Sequence, residues 1–103
     1  MKKPRKKSQR TGVPIFGIGW YKEEQWDLLL EHAVDKDDLE STYAEWFEGI
    51  SEGIENFAKS GIQCEKILVD VNEMIEWCKN NKYPFDGASR SAYISLKTKA
   101  KFS

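Results

Sequence analysis

At 103 residues, with 40% hydrophobic and 13% aromatic side chains, the chain has the means for one domain with its own core, which excludes a wholly disordered polymer and a two-lobed protein. It holds no apolar run of membrane-spanning length, no apolar stretch of signal-peptide length behind its charged start, and two cysteines, too few for a disulfide framework. No membrane span is expected, and the composition reads as that of a cytoplasmic protein. The net charge of −1 hides a strong asymmetry, because residues 11–96 carry 7 basic side chains against all 17 acids, about −10, between two basic ends.

Residues 1–12 lack hydrophobic periodicity and contain Pro4 and Gly12, so a disordered basic arm is expected, carrying Lys2, Lys3, Arg5, Lys6, Lys7 and Arg10. A single globular domain follows over 13–96, and a basic tail over 97–103 holds Lys97, Lys99 and Lys101. Val13 to Trp20 reads as a short strand, with Gly17 and Gly19 permitting a tight turn into the first helix. That helix is predicted over about 22–34, because Trp26, Leu29, Leu30 and Ala33 recur at i, i+3, i+4 and i+7.

A longer helix is predicted from about 39 or 42 to 60, with Thr42 and Glu45 in capping-box positions and Asp38 as the competing cap. Its apolar stripe is Tyr43, Trp46, Ile50, Ile54 and Phe57, and Gly61 is placed to end it. Gly49 and Gly53 lie inside it, which suggests a close backbone approach on that face. Ile62 to Val71 holds a second strand, strongest over Lys66–Val71, and its near-continuous apolar character suggests cover on both faces. Asp70 with Glu73 launches a third helix to about 81, and a fourth follows Asp86. The fold class is therefore α+β, with a small α/β arrangement possible: about four helices on a minimal two-stranded sheet, parallel through a right-handed crossover. Two strands are marginal alone, so helices or a second copy of the chain must complete the sheet, and a homodimer is one expectation.

No motif identifies a reaction. After Gly17 and Gly19 a dinucleotide loop needs a third glycine where Lys22 stands, and Glu23, Glu24 and Asp27 would repel a phosphate at the helix start. No cofactor and no metal site is expected. Cys64, Cys78 and His32 fall on different segments, and neither thiol stands in a catalytic motif. Three surfaces remain. The basic arm suits polyanions through counterion release, though it has no aromatic side chain to stack on bases. On the long helix Glu45, Glu48, Glu52 and Glu55 form a carboxylate stripe that suits a basic partner. Trp20, Tyr21 and Trp77, with Arg90, are candidates for a partly exposed aromatic interface.

The segments "GWYKEEQWDLLL", "TYAEW", "VDVNEMIEWC" and "ASRSAY" together form the layout W…TY-x-EW…D-x-x-E…WC…R. This resembles a family of short, functionally uncharacterised bacterial proteins over about residues 13–96. The resemblance implies a bacterial cytoplasmic protein and carries over no activity, cofactor or site. The leading expectation is a binding or regulatory module acting through protein contacts. An accessory nucleic-acid-binding protein using residues 1–12 comes second, and a small enzyme third.

Overall fold

The computed structural model describes residues 15–102. The basic arm and its six cations lie outside the described residues. Strand β1, Ile15–Trp20, pairs in parallel with β2, Gln63–Leu68, in a register that sets Ile15 opposite Gln63 and Trp20 opposite Leu68. Between them come a 3-10 turn at Glu23–Gln25, α1 over Trp26–His32, a second 3-10 turn at Lys36–Asp38, and α2 over Tyr43–Lys59. After β2 come α3, Val71–Asn80, and α4, Gly87–Phe102. This is the α+β arrangement expected, four helices and a two-stranded parallel sheet. None of the described helices is long and apolar enough to cross a membrane.

The helix starts follow from local chemistry. Thr42 accepts the Glu45 N–H at 3.1 Å, Asp70 accepts the Asn72 N–H at 2.9 Å, and Asp86 accepts the Ser89 N–H at 2.9 Å. Each supplies a partner to a first-turn donor that the helix cannot satisfy itself. Gly61 follows α2 with φ +83°, the left-handed geometry its position called for. Helix α1 is shorter than its periodicity predicts. Its first turn tightens to 3-10, and Ala33 is already extended, with the next N–H, of Val34, donated to the Phe85 carbonyl at 3.1 Å.

The sheet lies between two helices. On the face bearing Gly17 and Gly19 sits α4, and on the face bearing Phe16 and Trp20 sits α2. Four expectations fail here. Gly17 and Gly19 are strand residues rather than turn residues, and their role is close approach. A Cβ on Gly17 would run into Thr98 Oγ1 and one on Gly19 into Ile94 Cδ1. In α2 the reverse holds, because a Cβ on Gly49 or Gly53 would meet nothing within 4 Å. The second strand is not covered on both faces, since Ile67 is buried while Leu68 stays 63% exposed. Finally, α4 continues through Lys97, Lys99 and Lys101 where a separate tail was expected, and Lys101 Nζ pairs with Glu65 on β2 at 2.9 Å.

The core runs from the sheet's C-terminal end into the helices. Leu29, Val69, Val71, Met74 and Cys78 are almost fully buried. On α2 Trp46 is buried and Tyr43 and Ile50 pack against the core, while Phe57 near the helix end stays partly exposed beside Phe16; α3 buries Val71, Met74, Ile75 and Cys78.

Candidate functional site

The aromatic candidates resolve toward the core. Tyr21 is 8% exposed, with its ring 6.0 Å from Trp26 and 5.4 Å from Trp46. Trp20 is half-buried, edge-on to Phe47 at 5.5 Å, with the Lys66 ammonium 4.3 Å from its ring centre. A cation over an indole face and two rings beside it leave little of Trp20 for a partner. Trp77 is half-buried between Tyr83 and Tyr93, at 5.4 and 5.5 Å. The Tyr43 hydroxyl donates to the Tyr21 carbonyl at 3.1 Å and so joins α2 to the end of β1.

Arg90, expected beside an exposed aromatic patch, is 5% exposed and structural. Its Nη2 donates to Asp35 Oδ2 at 3.0 Å and its Nη1 to the Phe85 carbonyl at 3.1 Å. The same Oδ2 accepts the Gly87 N–H at 3.0 Å, so one carboxylate ties the loop after α1 to the start of α4. The guanidinium beside it holds the Asp35 carboxyl below its ordinary value. In the sequence Asp35 opens the polar run Asp35-Lys36-Asp37-Asp38 and by itself reads as a surface acid. The signal that it has a buried partner was Arg90 itself, a lone cation on an otherwise small and apolar helix start.

Catalytic groupings are sparse in what the structure describes. Cys78 is buried on α3, and burial pushes its thiol up, away from the reactive thiolate. His32 is exposed at the end of α1, its Nδ1 3.2 Å from the Leu28 carbonyl oxygen. Among the described residues no three His, Cys, Asp or Glu side chains are grouped to hold a metal ion.

Comparison with protein-family models, with curated proteins and with solved structures gives no match.

Two surfaces remain, and both belong to the sheet's flanking helices. The first is the outer side of α2, where Glu45, Glu48, Glu52 and Glu55 are all exposed. None of the four is in an ion pair with another described residue. Phe47, 43% exposed, stands among them beside a shallow depression of about 590 Å³ lined also by Glu48, Glu52 and Glu55. The second is a groove of about 530 Å³ along the outer edge of β1, walled by Ser91, Ser95 and Thr98 of α4 and by Ile50 of α2. Sequence reading missed it. Its trace is the spacing of small residues on α4, which has meaning only once Gly17 and Gly19 are known to lie beneath.

Proposed function

We propose that the protein is a small binding module that acts through protein contacts, with the outer face of α2 as a docking surface for a basic segment of a partner. The observation that carries this reading is the row of four exposed carboxylates, none in an ion pair with another described residue, with the partly exposed ring of Phe47 beside Glu48, Glu52 and Glu55. The inner side of α2 is held by Trp46, Tyr43 and Ile50 in the core, so the row is presented on a firm support about 25 Å long. Lysine and arginine stems can lie along Phe47 while their charged ends reach the carboxylates. Complementary charge of this kind speeds encounter and sets orientation, and its strength falls as salt rises.

The test is a fluorescence anisotropy titration with a labelled Lys/Arg-rich peptide, on the full chain and on a Glu48→Lys/Glu52→Lys variant. Binding at low salt should weaken at least tenfold in the double variant and fade with added salt. Equal binding by the two proteins would remove this reading.

A further inference from the structure

We infer that the groove along the outer edge of β1 takes one extended segment of another protein as an added strand, with apolar side chains toward α2 and a single acidic side chain at Lys99. The site is separate from the acidic face of α2 and does not depend on it.

Backbone geometry points to a pairing edge. The Trp20 carbonyl accepts the Val69 N–H at 3.0 Å, so the even-numbered residues of β1 turn their peptide groups toward β2. Ile15, Gly17 and Gly19 turn theirs outward, and no described residue takes those N–H and C=O groups. Tyr21, next in that series, has its carbonyl taken by Tyr43, which closes the row at that end. An open row of this kind is a template for one more strand.

The walls select what can pair with it. Helix α4 stands directly over Gly17 and Gly19, and Ile50 of α2 closes the other side, so the edge is recessed. A sheet edge that carries its own helices is kept out, whereas a lone extended segment enters. The stretch Ile15–Gly19 spans about 16 Å, and the groove of about 530 Å³ is of the size that holds small ligands.

A polar group inside the groove also lacks a partner. Tyr21 is 8% exposed, and no described residue hydrogen-bonds its hydroxyl. That hydroxyl lies 3.5 Å from where a Cβ on Gly19 would stand, at the inner end of the groove. A buried hydroxyl without a partner is costly, and a small polar side chain of an added strand removes the cost.

Charge identifies the occupant. Lys99 alone is charged in the groove wall. Its neighbours on α4 are engaged, Lys97 over the Tyr93 ring at 5.8 Å and Lys101 with Glu65, whereas no described residue pairs with Lys99. The chain's own Lys2–Arg10 segment brings six cations and no carboxylate, so it does not suit this wall. Residues 15–102 hold 17 acids against 10 bases, which disfavours an acid-rich segment and leaves room for one carboxylate at Lys99.

The register follows. Thr98 stands over Gly17 and Ile94 over Gly19, so α4 runs antiparallel to β1 and Lys99 lies at the Ile15 end. In an antiparallel added strand, residues opposite Ile15, Gly17 and Gly19 face the hydroxyls of Ser91, Ser95 and Thr98, and those between face Ile18 and Ile50. The matching pattern is small polar, apolar, small polar, apolar, acidic.

The test is an NMR titration of the nitrogen-15-labelled full chain with acetyl-Ser-Val-Thr-Val-Glu-amide. The Gly17 and Gly19 amide protons should move saturably to lower field, with a Kd on the order of 0.1–1 mM because a flexible segment must be ordered. A Gln-for-Glu peptide and the Lys99→Glu variant should each weaken binding at least threefold, and a Lys-for-Glu peptide should bind Lys99→Glu better than the original chain. Pro in place of the central Thr, which removes the N–H aimed at Gly17, should abolish the shifts. Unmoved Gly17 and Gly19 signals at several millimolar peptide overturn the inference, as do shifts that survive the Pro substitution or ignore the charge at residue 99. Slow amide exchange at Gly17 and Gly19 in the free protein also overturns it, because the edge is then filled by the chain's own residues.

Discussion

Replacing Asp35 with Ala would leave the Arg90 guanidinium buried with only the Phe85 carbonyl to receive it. Removing one partner of a buried pair strands the other charge, and Asp35 keeps some contact with water, so the expected loss is about 3 kcal/mol in denaturant titration. The acid limb carries a related signature. Because the Asp35 carboxyl is lowered in the folded protein, its contribution is complete above the ordinary carboxylate range and is lost as pH falls through the lowered value. At the alkaline end Tyr21 acts with the opposite sign. Burial pushes its hydroxyl up to about 12, against a smaller downward pull from Arg90. The unfolded chain ionises near pH 10 and the folded one does not, so stability is full below that pH and declines by about 2–3 kcal/mol up to pH 12. Tyr21→Phe should flatten that decline.

Among the elements, the two pairs of glycines separate packing from propensity. Gly17→Ala forces a methyl against Thr98, whose neighbours in α4 are held by the sheet, and should cost about 1–3 kcal/mol. Gly49→Ala and Gly53→Ala meet open space in a regular helix, and each should add up to about 1 kcal/mol. Thermal melts of the three single variants would check the signs, and a destabilising Gly53→Ala would show an approach that the structure lacks. The same glycines mark the limit of what the sequence could convey. Apolar spacing and caps are local, so α2, α3, the strand pairing and the Asp70 and Asp86 helix starts could all be read from the chain. What stands above a glycine is not local. Thr98 is far along the sequence from Gly17, and no pattern near Gly17 announces it. The aromatic candidates went inward for the same reason, because Trp20 and Tyr21 meet Trp46 only after the sheet is paired. The acids of α2 could be read because a solvated helix face keeps its own period.

For the molecule as a whole, the elements are joined by few but well-placed ties. Gln25 accepts the Val71 N–H at 2.8 Å and so links the start of α1 to the start of α3. Asp35 links α1 to α4, and Lys101 links the end of α4 to β2. A chain held in this way should unfold as one unit, with circular dichroism of the helices and fluorescence of the rings falling together in urea. Separate midpoints for the two would divide the domain.

The clustering of the rings gives that experiment its own instrument. Trp20, Trp26 and Trp46 share contacts at 5.3–5.5 Å, close enough for their electronic transitions to couple, whereas Trp77 lies with Tyr83 and Tyr93 in a second group. The protein therefore carries two intrinsic optical reporters, an exciton-coupled trio watching the sheet and α2 and a lone indole watching α3 and α4. With Trp77→Phe the emission comes from the first region alone, and a chain without added dye can show in which half its structure first gives way.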